Sequence, residues 1–393
     1  MSPHLRNENG FALAAALLAL VIVGALVTGG FVAASSEGRM GTGSRLSADA
    51  FYAADQGVDA LLGSWTTTDF RTAMPNPGDS VLPLVDVPVQ TGGAATGTYT
   101  VGVRRLTNEL FFILSTGRVE GRGLLAGAER RVATLVRLFE MSVPMDRAFQ
   151  SWGGVQVKGS ALISGKDLAL PVPDSLSGCQ WKDTTVNAVV VSTGAKVSQQ
   201  KPESIIGDTI SEPFSLDDFE QFGNLSLQDL KAQADIVLDN PGNVHLSPAV
   251  DANGNCDRTR LTNWGDPTNA ASPCFGYMPI IHIKGTVKLN ASGVGQGILI
   301  VDGDLEMTGG VEFYGIAIVA GKFWARGTGG HINGIVIARD GGEVDTINEM
   351  NGNAEVHYSS CSIKRAIEGT SLNRAIPLAE RSWIDLSAAG TGV

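Results

Sequence analysis

The strongest pattern along the chain is an uncharged apolar run over 11–34, set off from a polar segment, 1–10, that ends in Asn9-Gly10. Glu37 is the first charge beyond it. Roughly 25 such residues span a hydrocarbon core of about 30 Å as a helix. The apolar positions then change spacing. Leu46, Ala50, Phe51, Ala54, Val58, Leu61, Leu62 and Trp65 recur in steps of three and four, which puts one stripe on a helix face. Together these patterns predict one long helix over 11–65. Gly38, Gly41 and Gly43 fall in its middle, and each costs about 1 kcal/mol against alanine, so a bend or break is expected near 38–43. Residues 66–96, rich in Pro, Gly and Thr, read as a loop crossing. Segments 98–103, 110–116 and 131–139, rich in β-branched or aromatic residues and separated by turn residues, predict a small antiparallel sheet packed on the helix, within 66–140.

The C-terminal half carries an internal repeat. Ile280-Ile281-His282-Ile283-Lys284-Gly285 returns as Ile298-Leu299-Ile300-Val301-Asp302-Gly303, as Ile316-Ala317-Ile318-Val319-Ala320-Gly321, and as Ile335-Val336-Ile337-Ala338. Second short strands follow in phase at 286–289, 304–307 and 322–325. A period near 18, with a glycine corner in most copies, suits stacked coils that bury a continuous apolar interior. The expected fold class is mainly β with a long N-terminal α-helix. A parallel β-helix (β-solenoid) is expected over 141–358. Residues 155–159 and 161–165 read as a separate first coil, and 170–275 as a long, partly irregular insertion. In the tail, 359–393, a short helix over 359–368 with Ser359 or Ser360 as its N-cap would cap the open end of the stack.

Composition narrows the function classes. Glycine, at 49 of 393 residues, is roughly 12% against an average near 7%, in keeping with many short strands and tight turns. A net charge of -11 argues against a phosphate-binding surface, and no nucleic-acid partner is expected. The local basic pairs Arg104-Arg105 and Arg130-Arg131 read as solvated strand ends. Four cysteines beyond an apolar anchor permit disulfides. Cys256 and Cys274 flank one loop rich in Asn, Asp, Pro and Gly and form the favoured pair. Cys179 with Cys361 is the second candidate pair, and buried free thiols are the alternative. The absence of any C-x-x-C or H-x-x-x-H pair speaks against zinc.

Two segments carry a family resemblance. Gly10-Phe11-Ala12-Leu13-Ala14-Ala15-Ala16-Leu17-Leu18-Ala19-Leu20 is followed by Ala50-Phe51-Tyr52-Ala53-Ala54-Asp55-Gln56-Gly57-Val58. The glycine stands before the apolar run, whereas a secretory signal is cut after it. The arrangement resembles a type IV pilin or pseudopilin precursor. The pair of segments, about the first 65 residues, is similar to the PilX-like minor pilins, with Asp55 where that family usually has Glu. The resemblance implies a leader over 1–10, cleavage after Gly10 by a prepilin peptidase and methylation of the new N-terminus at Phe11. It implies an assembly helix whose apolar positions, among them Phe11, Leu13, Ala15, Leu17, Leu18 and Gly24, meet membrane lipid and then neighbouring subunits. A pilin head, a small sheet on the exposed half of the helix, is the implied layout. Implied partners are the peptidase, the major pilin, other minor pilins and the inner-membrane assembly platform. Most pilins carry glutamate as the fifth mature residue; here it is Ala15, which implies a tip or initiating subunit. Arg6, on the short side of the span, fits a cytoplasmic N-terminus. The implied location is therefore the inner membrane, single-pass, with a periplasmic or extracellular C-terminal domain, and then the pilus.

No other motif demands chemistry. Asp251, Asn253, Asn255 and Asp257 alternate as calcium ligands do, but Cys256 replaces the required glycine and Thr262 the glutamate, so a solvated turn is expected. Asp302, Asp304, Glu306 and Glu312 lie near one coil, where a wet strand face is the expected reading over a catalytic one. His245, His282, His331 and His357 show no ligand spacing. The expectation is a minor pilin-like subunit, not an enzyme, with no cofactor and no metal. The other classes considered are a membrane-anchored surface adhesin that binds a ligand through the solenoid, and a polysaccharide-active β-helix enzyme.

Overall fold

Asn9–Ser64 form a single unbroken helix, α1, in a computed structural model that describes residues 9–90, 96–121, 127–373, 375–378 and 383–386. The expected break at 38–43 is absent. Glycine weakens a helix but keeps its N–H, so the i to i−4 ladder runs through, which a proline would have prevented. The chain divides into two compact units, one drawn from Met1–Arg137 with Pro377–Val393 and the other from Leu138–Ile376.

In the first unit the C-terminal turns of α1 lie on an antiparallel sheet. Ala50, Ala53, Ala54, Val58 and Leu61 are buried there, whereas Leu46, Phe51, Leu62 and Trp65 of the expected stripe are half-buried. The sheet is built from β1 (Ser80–Gln90), β2 (Thr96–Arg105), β3 (Leu110–Val119) and β4 (Ala128–Arg137), in that order. A Cβ on Gly117 of β3 would overlap the backbone of Ala50, so this glycine sets how closely helix and sheet approach. Two elements occupy the stretch read as a loop over 66–96. A seven-residue helix, α2 (Thr67–Ala73), starts from a Thr66–Asp69 capping box and buries Phe70. Strand β1 then runs along the sheet edge, where Pro83 and Pro88 are tolerated because that side needs no further donors. Trp383–Asp385 adds antiparallel to β4, so these residues of the expected tail belong to the sheet. Arg105 is not a solvated strand end. It is buried and donates to the carbonyls of Met74 (2.8 Å), Thr107 (3.0 Å) and Asn108 (3.2 Å), while Arg104 stays exposed.

The second unit is a stack of parallel rungs. Ile280 pairs with Ile298, Ile298 with Ile316 and Ile316 with Ile335, so the sequence repeats are neighbouring rungs. The in-phase short strands form a second ladder, where Val287 pairs with Leu305 and Leu305 with Phe323. Gly293–Val301, Val311–Val319 and His331–Ala338 each turn at a glycine, and Gly297, Gly315 and Gly334 stand in register with φ of 110°, 140° and 156°. That column needs glycine twice over. The φ is unfavourable for other residues, and a Cβ on Gly315 or Gly334 would overlap the carbonyl oxygen of the glycine on the adjacent rung.

The order of rungs differs from the order of sequence. Arg147–Ser151, Gly154–Val157 and Leu162–Ser164 do not form a separate first coil. They lie between the strands of 331–358 on one side and those of 187–206 on the other. The chain thus starts inside the stack and winds out to Thr209–Glu212. It then passes to the opposite end at Ile236–Asp239 and winds back until 331–358 meets its own beginning. The expected insertion over 170–275 therefore supplies rungs at both ends. Its connecting stretch, 213–234, covers one side of the stack. Phe219, Phe222, Leu225, Leu227 and Leu230 are buried there in the same apolar cluster as the rungs, with Phe219 against Trp152 (ring centroids 5.5 Å). This cover explains why 298–301, 316–319 and 335–338 are buried on both faces and read as continuous apolar runs.

The Ser360–Gly369 helix, N-capped by Ser359, does not close an end of the stack. It lies along the side, against Gly293–Val301, Val311–Val319 and His331–Ala338. Cys361 at its start is bonded to Cys179, and Cys256 is bonded to Cys274.

Candidate functional site

The apolar half of α1 is the feature that the fold itself leaves without a role. Every residue over 13–45 is exposed, with Leu13, Leu17, Leu18 and Phe31 at 69%, 58%, 63% and 74%. Ala15 and Gly24 are exposed as well, and nothing lies within 4 Å of the place a Cβ would take at Gly24, Gly29 or Gly30. A helix that is apolar all round is stable only in an apolar surrounding, because each large side chain left in water forgoes about 1.5–3 kcal/mol. The stretch 13–34 contains one polar side chain, Thr28, and its hydroxyl donates to the Gly24 carbonyl at 2.8 Å. At about 1.5 Å per residue this stretch reaches about 33 Å, enough for a hydrocarbon core with every polar group paired inside the helix. Among the described residues, α1 is the one helix long and apolar enough to cross a membrane, by length and composition.

Gly10 and Phe11 fall in the first turns of α1, and the surroundings of their side chains lie outside the described residues. Asp55 is half-buried on the helix half that meets the sheet.

The other residues singled out in the sequence sit in structural contacts. Asp302 receives Lys231 Nζ at 2.7 Å and His282 Nε2 at 2.9 Å. Burial is the largest single influence on its carboxyl and pushes it up, but these contacts together outweigh burial and hold it below the usual range. The Lys231 contact also fastens the covering segment 213–234 to the rungs. Asp304 accepts from the Lys322 backbone N–H, Glu306 pairs with Lys288 at 2.9 Å, and Glu312 accepts from the Tyr314 hydroxyl. The four carboxylates are thus spread among separate partners. Asp251 accepts from the N–H groups of Asn253 and Asn255, closing a tight turn on itself, and Asp257 accepts from Thr259. His331 and His357 both approach Glu355, at 3.4 and 3.0 Å. Among the described residues no group of three or more His, Cys, Asp or Glu could hold a metal ion.

Sequence reasoning missed Asp340, which lies just past the last repeat. It is buried at φ 55° and accepts from Ser151 Oγ and the Gly153 N–H, both at 2.7 Å. Burial is the main cause that pushes its carboxyl up to about 6 from an ordinary 3.8, with those two hydrogen bonds opposing. The folded state therefore binds this proton more tightly than the unfolded one. Its contribution is fully present below pH 3.8 and is lost as pH rises through about 6, for about 3 kcal/mol in all. Asp340→Asn removes the titration. It is expected to raise unfolding stability at about pH 8 by up to about 3 kcal/mol and to change little at about pH 4. Urea unfolding of both proteins at the two pH values checks this, and an equal effect at both contradicts it.

No protein-family model matches the chain, and no curated protein matches it. Among solved structures, the crystal structure of the competence-associated pilin ComZ from Thermus thermophilus aligns with 86% of this chain and 96% of its own, at 13% identity and a TM-score of 0.23. A score that low carries no argument about fold or function.

Proposed function

We propose that the chain is a pilin-like subunit of a type IV pilus or a related secretion pseudopilus, of the PilX-like minor class. In this reading it inserts in the inner membrane through 11–34, loses residues 1–10 to a prepilin peptidase, is methylated at Phe11, and enters a filament beside other pilins. The observation that carries the reading is the exposed half of α1. Over 13–34 it is apolar on every side, its lone hydroxyl there is satisfied within the helix, and it continues without a break into a half that packs on a sheet. Membrane insertion alone would need only the first of these. An unbroken rod joining an apolar half to a folded base also suits bundling with like helices after extraction from lipid.

Ala15 stands where most pilins keep a glutamate for a neighbour's amine, which favours a place at or near the tip. A buried amine without a partner is costly, and a subunit with no further neighbour has none to meet. The stacked rungs of Leu138–Ile376 are read as a β-solenoid head held outside the membrane, structural and not enzymatic. Their support is the 18-residue register and the engagement of Asp302, Asp304, Glu306 and Glu312 in separate contacts. The experiment is N-terminal peptide mass analysis of sheared surface filaments. A methylated chain headed by Phe11 in that fraction supports the reading, and a chain confined to membranes and still headed by Met1 refutes it.

A further inference from the structure

The Leu138–Ile376 unit holds a cleft of about 910 Å³, a size that suits a small organic ligand. One side is the Ser360–Gly369 helix, which presents Lys364 and Ile367 three residues apart on one face. The other side comes from the segment around Cys179, with Gln180, Lys182 and Thr184. The Cys179–Cys361 disulfide ties the two sides together. So does Asp167, which accepts from the Ser360 N–H at 2.8 Å and from the Ser360 hydroxyl at 2.6 Å, while its own carbonyl receives the Trp181 indole N–H at 2.9 Å. The cleft is therefore built before any ligand arrives.

The charged side chains of its lining are Asp167, Glu368, Lys182 and Lys364, two of each sign. Both oxygens of Asp167 are engaged, and Glu368 has Lys364 at 3.9 Å. Among the described residues the Lys182 ammonium, the Gln180 amide and the Thr184 hydroxyl have no side-chain partner. The unengaged groups are thus one cation and two neutral donors, in a protein whose net charge is -11. Met145, Val186 and Ile367 supply apolar surface in the same cleft.

We propose that this cleft binds a small organic carboxylate with an apolar body. The carboxylate sits at Lys182, within reach of Gln180 and Thr184, and the apolar body lies against Val186 and Ile367. This binding is independent of the filament role of α1. The test uses the full chain in detergent, with 4-fluorobenzoate as the probe, its ¹⁹F line width as the signal, and empty micelles as the blank. Saturable broadening above the blank is expected. Affinity should fall at least tenfold for Lys182→Gln, at least tenfold for Ile367→Glu, and at least tenfold when neutral 4-fluorobenzamide replaces the acid. Lys182 is exposed, so its substitution leaves folding intact, and unchanged thermal unfolding of that variant confirms it. Broadening no greater than in empty micelles overturns the proposal, as does full affinity in Lys182→Gln or equal binding of the amide.

Discussion

Aspartate at both Leu18 and Ile22 is expected to expel the chain from membranes and filaments while leaving both folded units intact. The two positions lie near the middle of the apolar stretch, and both are exposed, Leu18 at 63% and Ile22 at 51%. An aspartate at the centre of a spanning helix costs about 2.5–3.5 kcal/mol on insertion scales, so the pair costs about 6 kcal/mol, a factor of roughly 10⁴ in partition. Neither residue belongs to a buried core, so both disulfides and the unfolding of the rest should be unchanged. Fractionation of cells into membrane, soluble and sheared-filament pools measures the first effect. Disulfide mapping of the recovered protein measures the second. Retention of the double variant in membranes at the wild-type level would contradict the role assigned to this half of α1.

Gly315→Val is expected to have the opposite profile, leaving the anchor and destroying the stack. Gly315 has φ 140° and stands between Gly297 and Gly334 in register. A Cβ there would overlap the Gly297 carbonyl oxygen and lie 3.2 Å from the Ala366 methyl of the covering helix. Backbone cannot yield as a flexible side chain can, and valine adds two methyl groups to the conflict. The expected loss exceeds about 4 kcal/mol, a large share of the stability of an ordinary domain. Gly310 is the control. Its φ is 74°, but nothing lies within 4 Å of a Cβ, so Gly310→Ala should cost only the backbone strain, about 1–2 kcal/mol. Limited proteolysis of the two variants separates them. Equal protease resistance would show that the glycine column is not what sets the spacing of the rungs.

The parts of the fold that can be read from the sequence are those with a repeated physical demand. The rungs from 280 to 338 announce themselves because each must place Ile, Leu or Val into one shared interior and is covered outside by 213–234 or by the Ser360–Gly369 helix. The end rung at Thr209–Glu212 is hidden for the converse reason. It is paired on one edge and mostly exposed, so Ile210 is its one apolar residue and no apolar run marks it. The reuse of 147–164 as the closing neighbour of 331–358 rests on pairings between distant parts of the chain, which no local pattern encodes. Strand β1 is masked by prolines that only an edge can accept, although Thr66 and Asp69 do mark α2 with a capping box. Arg105 resembles a wet strand end because its partners are carbonyl oxygens, which any sequence supplies and none advertises. The candidate site is the most legible part of all, since an uncharged stretch over 11–34 has few environments open to it.

The most direct measurement of the central claim is the mass of the first peptide of the mature protein, taken from filaments sheared off intact cells. The account predicts a peptide that starts at Phe11 and carries one added methyl group. A first peptide that still contains Gly10, recovered only from the membrane fraction, would contradict it.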